Sequence, residues 1–185
     1  PNTEAGRAAY LRAAGLRNTN WFNELFQTSI MQNHTLSFSS GNEKSTYYAA
    51  LSVLSDPGWT KGSYLNQYSG NLNANYNLSR KVRLNVINDL SYREQLSPYQ
   101  DLYSYALNNS RALDPKDYYT QKYTPYNIFN EIDNAYRKSY TANLRLQAQL
   151  SWKITPKVEA SLMGAIRYQS YIHNTDRTEK SNEAM

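Results

Sequence analysis

The sequence has 185 residues, a formal net charge of +5 and a pI near 9.3, but its Lys and Arg are scattered and form no basic stripe suited to nucleic acid. Cysteine is absent, which excludes a disulfide framework and thiolate zinc sites. No apolar run nears the roughly 18 residues of a membrane-crossing helix, and mean hydropathy is −0.78; a β-barrel stays open, because its strands need apolar residues only at alternate positions.

Pro1 opens the chain with no Met, signal peptide or lipid-attachment Cys, so the sequence reads as a piece of a longer protein. Residues 1–31 are expected to be loop and short helices. Glu4 to Ala14 is Ala-rich and reads as one helix. Asn20 is a cap for a second, with Glu24 in its first turn and Trp21, Phe22, Leu25 and Phe26 as an apolar patch that anchors a loop.

From residue 32 to 93 the apolar positions recur every second residue, which predicts four antiparallel strands with one apolar and one polar face. Leu36 and Phe38 mark the first strand. Tyr47, Ala49, Leu51 and Val53 mark the second, after the turn at Gly41 to Lys44. Asp56-Pro57-Gly58 ends it. The third and fourth carry the clearest pattern, with Tyr68, Gly70, Leu72, Ala74, Tyr76 and Leu78 opposed by Asn71, Asn73, Asn75 and Asn77. After Ser79-Arg80-Lys81, Val82, Leu84, Val86, Leu90 and Tyr92 oppose Arg83, Asn85, Asp89, Ser91 and Arg93, broken only at Ile87 and Asn88. Such strands are about twice the usual soluble length and match the roughly 9–11 residues of a tilted membrane strand.

Between 94 and 138 the alternation stops, and the segment reads as one long loop with a short helix over Ser104 to Leu113. Its rings Tyr99, Tyr103, Tyr105, Tyr118, Tyr119, Tyr123 and Tyr126, with Trp59 from the shorter connection, are candidate contacts for a ligand or a lid protein. Residues 139–173 resume as a two-stranded hairpin turning at Thr155-Pro156-Lys157, and 174–185 form a tail. Short turns alternate with longer connections, as the periplasmic and extracellular ends of an outer-membrane barrel do, which puts 94–138 outside. Tyr68, Tyr92, Tyr140 and Tyr168 would then form an outer aromatic girdle, with Tyr76 and Trp152 in the inner one.

Asn18-Thr19-Asn20-Trp21, then Gln32-Asn33-His34-Thr35-Leu36-Ser37-Phe38-Ser39-Ser40-Gly41, then Ser45-Thr46-Tyr47-Tyr48 and Asp56-x-Gly58, resemble the early barrel of SusC/RagA-type TonB-dependent transporters of Bacteroidetes. That family usually has Asp where Asn20 stands and Gly where Ser40 stands. The resemblance is specific over Asn18 to Arg93 and weaker to Tyr168. It implies an all-β chain, about six antiparallel strands of a 22-stranded transmembrane barrel, in the cell outer membrane among lipid. It also implies import of oligosaccharides or peptides, a SusD-like surface lipoprotein as lid, and TonB acting through a plug that this sequence does not include.

No cofactor and no catalysis are expected. His34 and His173 are isolated, Asp114-Pro115-Lys116-Asp117 lacks the Gly and bidentate Glu of a calcium loop, and there is no nucleophile motif, phosphate-cradling loop or isolated carboxylate pair. The polar faces carry Arg83, Arg93, Arg145, Lys153 and Arg167 beside Asp89 and Glu159, fit for a solvated lumen wall with cross-strand ion pairs or for a solute conduit. The alternative is a soluble all-β ligand-binding or adhesin module, which would bury the same apolar face in a core.

Overall fold

A computed structural model describes residues 3–121, 124–182 and 184. Helix α1 spans Glu4–Leu16, with the Thr3 hydroxyl accepting from the Gly6 N–H, and buries no residue. Helix α2, Trp21–Leu25, starts at the expected cap: Asn20 Oδ1 accepts from the Asn23 N–H. Strands β1 (Gln32–Gly41), β2 (Ser45–Asp56), β3 (Tyr64–Asn77) and β4 (Val82–Pro98) follow. Then come α3 (Leu102–Asn108), the small hairpin β5 (Tyr119–Gln121) and β6 (Thr124–Tyr126), and α4 (Ile128–Asn134). Strands β7 (Ala135–Thr155) and β8 (Val158–Arg177) complete the order.

Among the described residues, the long strands form one antiparallel six-stranded sheet in the order β1-β2-β3-β4-β7-β8. The chain is therefore all-β, a simple meander with the 99–134 segment inserted between neighbours, and β1 and β8 are not paired with each other. Strand length rises from 10 residues in β1 to 21 in β7. Register puts the predicted parities in common rows across the sheet. Leu51, Gly70, Leu90, Leu144 and Tyr168 lie in one row on the apolar face, and Ala50, Asn71, Asp89, Arg145 and Arg167 in the adjacent row on the polar face.

The pairing runs unbroken through Ile87 and Asn88, which oppose Asn73 and Leu72. No residue is inserted. Ile87 therefore stands on the polar face and Asn88 on the apolar one, so the local fault in the pattern is a swap of side chains and not a change of register.

The strand ends lie beyond the expected 93, 139 and 173. β4 continues to Pro98, β7 starts at Ala135 and β8 reaches Arg177, so the long connection is 99–134 and the last strand takes in what reads as tail. The connection holds α3, β5, β6 and α4, with the helix at Leu102–Asn108 instead of Ser104 to Leu113. The reason is physical. In the extension, pairing is secured by polar contacts, such as Lys138 Nζ at 2.9 Å from Glu94 Oε1 and the Tyr64 hydroxyl donating to Glu94 at 2.8 Å. Backbone ladders of this kind need no apolar parity, so the period-two signal fades while the strands go on.

The packed core cluster is drawn from the helices and not from the strands. It is built from Trp21 and Leu25 of α2, Leu102 and Ala106 of α3, and Ile128 and Ile132 of α4. On the apolar face of the strands, by contrast, Leu36, Leu51, Leu162 and Ile166 are 65–75% exposed.

Candidate functional site

The turns at 42–44, 78–81 and 156–157 stand at one end of the sheet. Segments 17–31, 57–63, 99–134 and the residues after Arg177 gather at the other, because β1 descends from Gln32, which pairs with Ser55 near the 57–63 connection. At this loop end the residues that carry the sequence resemblance have structural work to do. The Thr19 N–H donates to the Arg111 carbonyl at 2.9 Å and its hydroxyl to the Leu113 carbonyl at 2.7 Å. Trp21 is 2% exposed, and its Nε1–H donates to the Ser110 carbonyl at 3.0 Å. The Leu25 carbonyl accepts from Lys61 N–H and the Trp59 carbonyl from Gln27 N–H, both at 2.9 Å. Segment 17–31 is thereby stitched to both connections, 57–63 and 99–134. Gly62 has φ +75°, and a Cβ there would stand 2.5 Å from Ile132 Cγ2, so only glycine lets the short connection lie on α4.

The candidate rings divide into separate groups. Tyr105, Tyr119 and Tyr126 come together: Tyr105 and Tyr126 stack at 6.3 Å, Tyr119 and Tyr126 lie 5.8 Å apart, and the Tyr105 and Tyr119 hydroxyls are hydrogen-bonded. Trp21 packs edge-on against Tyr105 at 5.3 Å. Burial, first, and the bond to Tyr119, second, push the Tyr105 phenol well above its ordinary range, and burial raises Tyr119 also, so both stay neutral. Tyr103 joins a second, more exposed string through Phe22 at 5.9 Å, Phe26 and Trp59, where Phe22–Phe26 and Phe26–Trp59 centroids lie 5.4 and 5.1 Å apart. Tyr99 is held between the guanidiniums of Arg137 and Arg177, at 4.8 and 4.2 Å from its ring. Tyr118 is exposed and meets no other ring among the described residues. Tyr123 lies outside the described residues.

A polar cluster that sequence reasoning missed fastens α4. Asn127 caps it, accepting from Phe129 and Asn130 N–H while its amide donates to the Pro115 and Asp117 carbonyls. Buried Glu131 accepts from the Asn182 N–H and side-chain amide at 3.2 and 2.7 Å. Asn127 at the head of Ile128-Phe129 is a readable capping signal. Asn182 is not, since its partners are more than fifty positions away. At Asp114-Pro115-Lys116-Asp117 the structure has a turn, with Asp114 Oδ1 accepting from the Lys116 N–H and its carboxylate 3.4 Å from Arg17.

The girdle candidates fall in two bands on the apolar face. Tyr68 and Tyr92 are direct partners; Tyr140 is two residues nearer the loop end and stacks on Tyr92 at 6.3 Å; Tyr168 is two residues nearer the turns. Tyr76 and Trp152 mark the other band in neighbouring rows, and Tyr47, not foreseen there, meets Tyr76 edge-on at 5.6 Å. At about 3.3 Å per residue and a tilt near 40°, the bands are roughly 20–25 Å apart.

On the polar face a hollow of about 410 Å³ is lined by Ser52, Asn71, Asp89, Asn143, Arg145 and Arg167 among others. Asp89 accepts from the Asn71 amide and pairs with Arg145. No group of three or more His, Cys, Asp or Glu gathers among the described residues, and no helix there is long and apolar enough to cross a membrane.

No family model matches the chain, and no curated protein matches it significantly. Solved structures do. The chain superposes on the "RagAB peptide transporter" with a TM-score of 0.77 at 14% identity, covering 90% of this chain and 20% of that one. The "RagAB peptide importer in the 'closed-closed' state" gives 0.76 at the same identity and coverage. The chain thus spans about a fifth of the length of the transporter chains it matches. The likeness is one of fold: this antiparallel sheet is built as a segment of such a transporter's barrel.

Proposed function

We propose that this chain is part of the wall of a SusC/RagA-like, TonB-dependent outer-membrane transporter that imports oligopeptides or oligosaccharides, and that it performs no catalysis itself. Support comes from the two faces of one sheet. The apolar face is uncovered between two aromatic bands whose separation matches an outer-membrane hydrocarbon layer, while the opposite face is mostly polar over the same depth, with Ile87 and Met163 as exceptions. A soluble module would need to cover that apolar face, yet the apolar side chains that do pack together, at the loop end, leave it open.

In this reading the 42–44, 78–81 and 156–157 turns are periplasmic and the packed cap is extracellular. The exposed string Tyr103, Phe22, Phe26 and Trp59 is then available to a SusD-like lipoprotein lid or to cargo, whereas Tyr105, Tyr119 and Tyr126 serve the cap's own packing. Peptide cargo is favoured by the fold likeness to RagAB, described as a peptide transporter.

The test is uptake of fluorescent oligopeptides and oligosaccharides by cells carrying or lacking the full-length protein, with and without active TonB, alongside membrane fractionation. TonB-dependent uptake and recovery in the outer membrane are expected. Recovery in the soluble fraction, with uptake unchanged by deletion, would favour the soluble binding module.

A further inference from the structure

The polar face holds more positive than negative charge. Arg83, Arg93, Arg145, Lys153 and Arg167 stand there against Asp89 and Glu159, and in one row two of the cations are direct neighbours. Across β3, β4, β7 and β8 that row reads Asn71, Asp89, Arg145, Arg167, each directly opposite the next. Asp89 pairs with Arg145 and takes a hydrogen bond from Asn71. Nothing answers Arg167: it has no hydrogen bond or ion pair among the described residues. Arg145 Nε is buried and has no acceptor either.

Like charges directly opposite on an antiparallel pair repel. Two guanidiniums stand in a row with one carboxylate, which pairs with Arg145 alone, and both border the same hollow of about 410 Å³, where Ser52, Ser69, Ser91, Asn143 and Gln169 stand among apolar and backbone groups such as those of Ala50, Gly70 and Leu144. A second carboxylate placed beside Arg167 would repeat the Asp89–Arg145 pairing one strand over. It would relieve the repulsion and be gripped by the planar fork that suits guanidinium to carboxylate.

We propose that Arg167, with Arg145 beside it, is a carboxylate-binding point on the polar face. The proposal rests on the barrel-wall reading, in which this face lines the lumen. The carboxylate has two sources, an acidic side chain of polypeptide lying against this face or next to β8, or an acidic residue of peptide cargo.

The experiment uses the full-length transporter, purified in detergent, as wild type, Arg167→Gln and Arg167→Lys. Binding of fluorescent tetraglutamate and tetraglutamine peptides is measured with the thermal unfolding midpoint. If cargo supplies the carboxylate, Arg167→Gln weakens tetraglutamate binding by about tenfold, leaves tetraglutamine unchanged, and loses the salt dependence of the acidic peptide. If polypeptide supplies it, Arg167→Gln lowers the midpoint and leaves the ratio of the two affinities alone. In both cases Arg167→Lys recovers part of the loss, because it restores the charge but not the fork. Accumulation in the outer membrane by the Lys variant but not the Gln variant also supports the site, since only the charge differs in kind. Unchanged affinity ratio and midpoint in Arg167→Gln overturn the proposal, as does equal failure of both variants to accumulate. Wild-type protein that is absent from the outer membrane and binds neither peptide overturns the transporter reading instead.

Discussion

Along β7, Leu144, Leu146 and Leu150 repeat one environment and Asn143, Arg145, Gln147 and Gln149 repeat the other, whereas in the cap above the strands hardly two neighbouring residues do the same job. Trp21 fills a core and donates to a distant carbonyl; Phe22, beside it, faces outward; Asn23 closes the turn. The sheet is held by a repeated backbone ladder, and its side chains sort between two media. The cap is held by a small buried core and by side-chain bonds to backbone carbonyls across long sequence distances, such as Thr19 to Leu113 and Asn127 to Pro115. A repetitive structure tolerates local faults, as at Ile87 and Asn88. A structure of unique contacts should not.

Trp21→Ala tests that contrast most severely. It removes a buried ring, the edge contact to Tyr105 and the donor to Ser110, and should cost about 3–5 kcal/mol of cap stability. In the full-length protein, segment 99–134 should become sensitive to protease and lose hydrogen-exchange protection, while β3, β4 and β7 keep theirs. Equal loss of protection in the strands would show that cap and sheet are one cooperative unit.

Leu146→Arg probes the sheet with a slightly smaller effect. Leu146 lies between Asn88 and Ile166 on the apolar face, roughly midway between the aromatic bands. A cationic side chain there should cost about 2–4 kcal/mol in the bilayer, and Gln147→Arg, one position along and facing the other way, should be mild. Urea unfolding of the full-length protein in lipid vesicles measures both. Similar penalties at the two positions would mean that the faces do not separate lipid from water.

These two regions also differ in how legible they were. Period two names a strand and its faces from the residues alone, so the strand cores, the pairing order of neighbours and the aromatic positions could be read from Leu72, Ala74, Tyr76 and their partners. The same signal fell silent at Glu94 to Pro98 and Ala135 to Lys138, where the ladder persists on polar pairs. In the cap, caps such as Asn20 were visible because capping is local. The pairing of Asn182 with Glu131 and the seating of Gly62 on Ile132 were not, because each depends on a partner that only the fold brings near. Arg167 was legible as a polar-face charge, but its lack of a partner became visible only with the register.

The smallest effect expected concerns α3, whose seven residues carry Leu102 and Ala106 into the cap core. Asp101 caps it, with Oδ2 accepting from the Ser104 hydroxyl at 2.7 Å and Oδ1 from the Tyr103 and Ser104 N–H groups. These bonds, the Ser104 hydroxyl foremost, hold its carboxyl below the usual carboxylate range. A depressed folded-state pKa means that ionised Asp101 favours the folded cap. Its contribution is complete above the unfolded value of about 3.9 and is lost as pH falls through that value toward the folded one. Protection of the amides that follow the cap in α3, corrected for intrinsic exchange, should therefore weaken below about pH 4 in the wild type. Asp101→Asn keeps an acceptor at the cap but has no proton to gain, so its protection should be slightly lower near neutrality and flat across the same range. The difference should be small, because the group is open to solvent and salt screens it. An Asn variant that loses protection with acid as steeply as the wild type would assign the acid sensitivity of the cap to another carboxylate.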